Sequence, residues 1–207
     1  WSKFALKLFK IPQTCLPPLK PAKNEYGKIF NSNILLSTVI GDQQAALIGQ
    51  HGLIHNSLGA NFGTSGSIQY NVGTKPLIKK GLISSILFSS DKKNIFMLEG
   101  TINSCNSLFY NLETLLCIDH KKMNWNERIK NIKTKGIMIP GASGLAAPYW
   151  TIGFNNIFID LPYNRPNQII RAGMESIGFL TNDILNCFKK NKIILPKKLT
   201  VSGGGAR

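Results

Sequence analysis

Paired cysteines, long apolar runs and acidic side chains are what this chain has least of. Its four cysteines, Cys15, Cys105, Cys117 and Cys187, lie far apart and form no CxxC pair. That spacing argues against a zinc site or a disulfide framework. It fits reduced thiols inside a cell, so a cytoplasmic location is expected. No stretch approaches the roughly 20 apolar residues that a membrane helix needs, and no signal-peptide pattern is visible. No membrane partner is expected. Asp and Glu number 10 against 25 Lys and Arg, a net charge of +15 over 207 residues.

Such an excess of positive charge raises the question of nucleic acid. The lysines occur as pairs in separate segments: Lys79-Lys80, Lys92-Lys93, Lys121-Lys122, Lys189-Lys190 and Lys197-Lys198. No Arg-rich helix, basic-aromatic strand or zinc-finger spacing accompanies them. They read as solvated surface, and no nucleic-acid partner is expected, although their field favours anionic ligands such as nucleotides. With 43% hydrophobic and 17% charged residues the composition is that of a globular protein. The length suits one domain and part of another. The chain begins at Trp1 and stops on a glycine loop, Gly203-Gly204-Gly205-Ala206-Arg207, so a piece of a longer protein is expected.

The stretch that organises the rest runs from Ile40 to Gln50. Gly41 allows a sharp turn, Asp42 follows it, and Gln43 to Ile48 are good helix formers before Gly49. A carboxylate at a helix start faces unpaired backbone amides and the positive end of the macrodipole. Asp42 is therefore expected to be ionised and oriented, suited to accept a hydrogen bond from a substrate hydroxyl. Spacing alone favours a plain N-cap. His51 and His55 are four apart, but Gly52 and Asn56 favour a loop and no third ligand is near, so no metal site is expected from them.

Along the chain, Ser2 to Phe9 has helical spacing and Pro12 ends it. Tyr26 to Phe30 and Ile34 to Ile40 read as strands that feed Gly41 and Asp42. Leu58 to Asn71 reads as two strands joined by a Gly63-Thr64-Ser65-Gly66 turn, whose amides and hydroxyls suit phosphate oxygens; the GxxxxGK[ST] spacing of a Walker A loop is absent. Leu82–Phe88 and Asn94–Leu98 form a hairpin. A helix is expected from Thr101 to about Cys117, then a polar, basic surface excursion over 118–135. Ile137 to Pro140 is a short strand, and Gly141 to Trp150 a closely packed loop. Asn164 is the cap candidate and Pro166 the first-turn residue of a long helix with Ile170, Met174, Ile177, Thr181, Ile184 and Phe188 on one face. Leu199 to Ser202 reads as a buried strand delivering Gly203-Gly204-Gly205, where backbone can approach a ligand closely.

Six motifs occur in order: Gly41-Asp42-Gln43-Gln44-Ala45-Ala46-Leu47, Phe62-Gly63-Thr64, Leu98-Glu99-Gly100, Gly144-Leu145-Ala146-Ala147-Pro148-Tyr149-Trp150, Arg171-Ala172-Gly173-Met174-Glu175-Ser176-Ile177 and Ser202-Gly203-Gly204-Gly205. Each is weak alone. Together they resemble the FGGY carbohydrate kinases over nearly the whole chain, and among these the glycerol kinases, whose Gly-Asp-Gln-Gln form this chain shares.

The resemblance implies an α/β protein with the actin-like ATPase (ribonuclease H-like) fold, two domains closing on a cleft. Residues 1–50 would end the N-terminal domain, and 51–207 would form the C-terminal domain, truncated at the nucleotide-binding glycine loop. It implies ATP-dependent phosphorylation of a small polyol, with glycerol preferred, and with ATP and Mg2+ as cofactors. Asp42 would be the catalytic base and touch the substrate, Gln43 would bind the polyol, Gly63 and Thr64 would face the transferring phosphate, and Gly204 and Gly205 would belong to the nucleotide site. The 207 residues alone are expected to be inactive, since the family's first phosphate loop and magnesium-ordering aspartate fall outside them. Homo-oligomerisation of the full-length protein stays open. The chain departs from the family at Asn106, where a glycine is usual, at Tyr110, usually glutamine, and at Ser67, usually an aromatic. A kinase of another polyol or a pentulose, and a non-catalytic binding module, remain the alternatives.

Overall fold

The computed structural model describes residues 1–119 and 125–206. Lys121-Lys122 and Arg207 lie outside the described residues. The chain is a mixed α/β structure built on a five-stranded sheet. Strands β1 (Leu58–Phe62) and β2 (Gly66–Gly73) form a hairpin, as do β3 (Ile83–Ser89) and β4 (Asn94–Ile102). The sheet order is β3-β4-β2-β1-β7, with β7 (Thr200–Ser202) parallel to β1 and the other neighbours antiparallel.

Alternation along β2 divides the sheet into two faces. Ile68, Tyr70 and Val72 join Leu98 and Ile102 of β4 in one apolar core, closed by Ile184 and Phe188 of α5 (Pro166–Lys190). Each such buried side chain contributes about 1.5–3 kcal/mol through the water it sheds. Ser67, Gln69 and Asn71 point the other way. That second face carries a smaller cluster, Leu87, Ile95 and Met97, covered by Leu47 of α2 (Asp42–His51).

The first half of α5 packs elsewhere. Its Ile169 and Ala172 meet Leu108 and Leu112 of α3 (Asn106–Leu116), with Met138 of β5 (Ile137–Ile139) and Leu161. The buried face of α5 is thus wider than the expected stripe and includes Ala172, Gly173 and Ser176. Small residues let α3 come close: a Cβ on Gly173 would sit 2.8 Å from Leu112 Cδ1.

Several expectations from the sequence are corrected. The helix expected from Thr101 begins at Asn106, because Thr101 and Ile102 continue β4 in register with Ser67 and Gly66. Gly49 does not end α2, which runs on to His51 and stops at Gly52, whose φ is +63°. Position Arg165, not Asn164, caps α5, and no side chain bonds to its first turn. The strands expected at 26–30 and 34–40 reduce to two isolated bridges, Lys23–Thr38 and Lys28–Leu35. The polar stretch 118–135 contains a short helix α4 (Trp125–Ile129), whose Trp125 ring lies 4.6 Å from that of Phe109. β6 (Ile157–Ile159) pairs with β5 and was not anticipated. β7 is a half-exposed edge rather than a buried strand. Helix α1 (Lys3–Phe9) is as expected, with Ser2 Oγ accepting the Ala5 N–H. Its neighbourhood is open, since no side chain of residues 1–41 is buried.

Candidate functional site

Gly41 takes the N-cap position of α2, so Asp42 is its first helical residue and not its cap. Asp42 Oδ1 accepts the Gln43 N–H at 2.8 Å, and the carboxylate stands in the first turn where the macrodipole favours negative charge. The other end of the helix is pinned to the sheet. Gln50 Nε2 donates to Ala60 O at 3.2 Å and to Ser202 Oγ at 2.7 Å, and His51 Nε2 lies 3.0 Å from Leu58 O. The pinned end fixes where the free end, with Asp42 and Gln43, can lie. Gln43 Oε1 is buried with no hydrogen-bond partner among the described residues, an acceptor left for something else.

Beneath the helix runs a row of polar side chains. Ser67, Gln69, Asn71 and Glu99 are all buried on the α2 face of the sheet. Ser67 Oγ donates to Glu99 Oε1 at 2.5 Å. Burial pushes the Glu99 carboxyl above its ordinary value of 4.5, the Ser67 bond pulls it back, and the charge of Asp42 pushes it up again. Gln69 stands directly opposite Glu99 in the register, and its Nε2 has no partner among the described residues. Sequence reading quoted Glu99 only as part of a motif. A lone carboxylate inside an apolar strand was the available signal.

The strand that carries Ser67 leaves the Gly63-Thr64-Ser65 turn, where a second group assembles. The start of α3 docks on this turn: Asn106 N donates to Gly63 O at 3.0 Å, and Cys105 N and Ser107 N donate to Thr64 O at 3.0 and 3.2 Å. The Cys105 thiol is pushed up to about 11 by burial, so it stays protonated and unreactive. The glycine loop after β7 reaches the same corner. Gly203 has φ +94°, and a Cβ there would collide with Phe62 O and Asn61 Oδ1. A Cβ on Gly205 would meet Asn106 Oδ1 at 2.6 Å. Gly63, Thr64, Gly204 and Gly205, separated by some 140 positions in sequence, therefore share one corner with Asn106.

These two places suit two different ligands. Exposed backbone at the turn and at the glycine loop suits a nucleotide, and the α2 end with its unpartnered Gln43 oxygen suits a hydroxylated acceptor. No group of three or more His, Cys, Asp or Glu side chains converges among the described residues. The four cysteines are unpaired. No helix among the described residues is long and apolar enough to cross a membrane.

Comparison with known proteins bears on the same residues. Positions 58–207 match the model of the FGGY family of carbohydrate kinases, C-terminal domain. The glycerol kinase of Limosilactobacillus reuteri (strain DSM 20016) is 32% identical over 216 aligned residues, covering 100% of this chain and 43% of that protein. The glycerol kinase of Caldanaerobacter subterraneus subsp. tengcongensis is 31% identical, again over 100% of this chain and 43% of its own length. The chain therefore spans less than half the length of these relatives. Among solved structures, Plasmodium falciparum glycerol kinase with ADP superposes with a TM-score of 0.77 at 26% identity, over 100% of this chain and 43% of that one. A ligand-bound xylulose kinase from Lactobacillus acidophilus has the same fold, with a TM-score of 0.76 at 20% identity over 100% of this chain and 44% of its own. The fold is that of the actin-like ATPases.

Proposed function

Because the chain belongs to the FGGY family of carbohydrate kinases, we propose that its protein transfers a phosphoryl group from ATP to a hydroxyl of a small polyol, with glycerol as the preferred acceptor. Residues 1–50 then end a first domain and 51–207 form the second. The open apolar side chains of Phe4, Leu8, Phe9 and Phe30 support this division, because they need further protein to cover them. The observation that carries the reading is the convergence of Gly63, Thr64, Gly204 and Gly205 on Asn106 at one corner of the sheet.

When bound, ATP would supply the phosphoryl group, and Mg2+ would offset the charge of its phosphates. Gly204 and Gly205 let the nucleotide approach the backbone, and Gly63 and Thr64 face the phosphate. Gln43 Oε1 takes a hydrogen bond from the acceptor. As the acceptor oxygen bonds to the γ-phosphorus, the bond from that phosphorus to the bridging oxygen breaks and ADP leaves; the acceptor's O–H bond breaks as well, and its proton goes to the Asp42 carboxylate. Oδ1 is held by the Gln43 amide, which leaves Oδ2 to receive it. Phosphoryl transfer has a loose transition state in most analyses, so placing this carboxylate matters more than making it a strong base.

In the full-length protein, Asp42→Asn is expected to lower turnover by about 10²–10⁴-fold, the contribution of a positioned base, with ADP binding nearly unchanged. Near-normal turnover in that variant overturns the reading. A second reading, a pentulose or larger polyol as acceptor, is favoured by Ser67, which offers Glu99 a hydroxyl where an apolar wall would suit glycerol's carbon chain. Turnover measured with glycerol, erythritol, xylulose and ribulose separates the two. Nucleotide binding without turnover on any acceptor identifies a non-catalytic binding module instead.

A further inference from the structure

The corner where the Gly63-Thr64 turn meets the glycine loop holds one polar side chain that the reading above leaves without a role. Asn106, the first residue of α3, is half-buried and touches both parts. Its backbone N–H donates to Gly63 O at 3.0 Å. Its side-chain Nδ2 lies 3.5 Å from Phe62 O, longer than an ordinary N–H···O bond. On the other side, a Cβ on Gly205 would meet Oδ1 at 2.6 Å, and a Cβ on Gly204 would stand 3.5 Å from Nδ2. The carboxamide thus lies against the backbone of the glycine loop. It has two N–H donors and two acceptor lone pairs to place. Among the described residues, that one long bond is all that engages it. The backbone beside it has nothing to spare, because Cys105 N, Asn106 N and Ser107 N all donate to carbonyls of the turn. At this start of α3 the side chain, and not the backbone, is what can still donate to a ligand.

We propose that Asn106 binds the phosphates of the nucleotide: its Nδ2 leaves Phe62 O and donates to a phosphate oxygen between the turn and the glycine loop. This rests on the reading of that corner as the nucleotide site. The long bond to Phe62 O costs little to give up, and a donor bonded to a charged oxygen gains roughly twice what a neutral pair gains. Oδ1, the end of the amide that would repel a phosphate, is packed against Gly205. The phosphates and not the base are the partner, because the backbone of Asn106 is tied to the turn that faces the transferring phosphate. In the family a glycine is usual at this position, and a glycine here would offer the ligand no donor, since its N–H is already spent on Gly63 O. The contact is therefore this chain's own.

The experiment measures ADP and adenosine binding to the full-length protein by calorimetry, for the wild type, Asn106→Asp, Asn106→Ala and Asn106→Gly. The melting temperature of each is taken alongside. Asn106→Asp keeps the shape and replaces the donor by a negative charge. An acid in a first helical turn favours the helix, and α3 has none there, so this variant is expected to melt no lower than the wild type. Its ADP affinity is expected to fall by about thirtyfold or more, and that of Asn106→Ala and Asn106→Gly by roughly tenfold, the loss of one bond to a charged group. Adenosine carries no phosphate, so its affinity is expected to be the same in all four proteins. Wild-type ADP affinity in Asn106→Asp overturns the proposal, as does tighter ADP binding by Asn106→Gly, which would make the side chain an obstruction. Equal losses for ADP and adenosine overturn it as well, because they would assign Asn106 to the shape of the corner alone. If Asn106→Asp fails to fold, the ADP affinity of Asn106→Ala decides in the same way. The parent reading fails separately. A wild-type protein that binds no ADP overturns the nucleotide site itself, whereas ADP binding that none of the substitutions changes removes only the role of Asn106.

Discussion

The two faces of the central sheet are built from the same strands and obey opposite rules. Under α5, Ile68, Tyr70, Leu98 and Phe188 fill an apolar core whose one polar tip, the Tyr70 hydroxyl, is tied to Asn56 Oδ1 at 2.7 Å. Under α2, the alternate residues Ser67, Gln69 and Asn71 are as deeply buried, yet Gln69 Nε2 and Asn71 Nδ2 have no partner among the described residues. Burial without satisfaction lowers stability. One face therefore holds the domain together, and the other is maintained at a cost to the fold. The contrast locates function more sharply than the size of any cavity, because packing gives no reason for a buried acid and an orphan amide side by side.

The largest effect breaks the apolar face. Phe188 is fully buried against Tyr70, with ring centroids 6.1 Å apart. Phe188→Ala is expected to cost about 3–5 kcal/mol, the transfer term plus the cavity left behind. Chemical denaturation checks it, and a loss below about 1 kcal/mol would show that α5 does not close this core.

A smaller effect, of opposite sign, is expected on the polar face. Burial holds the Glu99 carboxyl above its ordinary 4.5. An acid raised in the folded state stabilises the fold fully below its unfolded value, and that contribution is lost as pH rises through the folded value. Glu99→Gln removes this dependence. The variant should melt at nearly the wild-type temperature near pH 4 and increasingly above it toward pH 8. A difference that stays constant across that range would mean that Glu99 is not desolvated.

Much of this was legible in the sequence where the determinants are local. The Gly63-Thr64-Ser65-Gly66 turn and the β-rich runs around it announced the β1–β2 hairpin, and Pro166 announced the start of α5. Local spacing misled where a distant partner decides. Ile102, Cys105, Phe109 and Leu112 have helical spacing, but Ile102 is held as strand by its pairing with Gly66. β6 exists only because β5 lies beside it. The same limit applies to the site. The place of Asp42 at a helix start was readable from a glycine and the helix formers after it, whereas the approach of Gly205 to Phe62 and Asn106, beside the Gly63-Thr64 turn, needs a parallel strand, β7, added from the far end of the chain. Glu99 was hidden for another reason: its neighbours in sequence are apolar, and only the sheet register places it beside Ser67 and Gln69.

The smallest effect sharpens the contrast most. Gln69 sits at the same level of the sheet as Glu99 and Gly59, and its amide nitrogen donates to nothing among the described residues. Gln69→Met keeps an unbranched chain of similar length and removes the orphan donor. Replacing an unsatisfied buried polar group by an apolar one of like shape is close to neutral or slightly stabilising, so a change within about 1 kcal/mol is expected. The same substitution of a satisfied group would lose a hydrogen bond and strand its partner, at roughly 1–3 kcal/mol. Denaturation of this single variant therefore reads whether the polar face is paired. A loss above about 2 kcal/mol would mean that Gln69 is bonded in the folded protein, and the two faces would then differ in composition but not in the rule they obey.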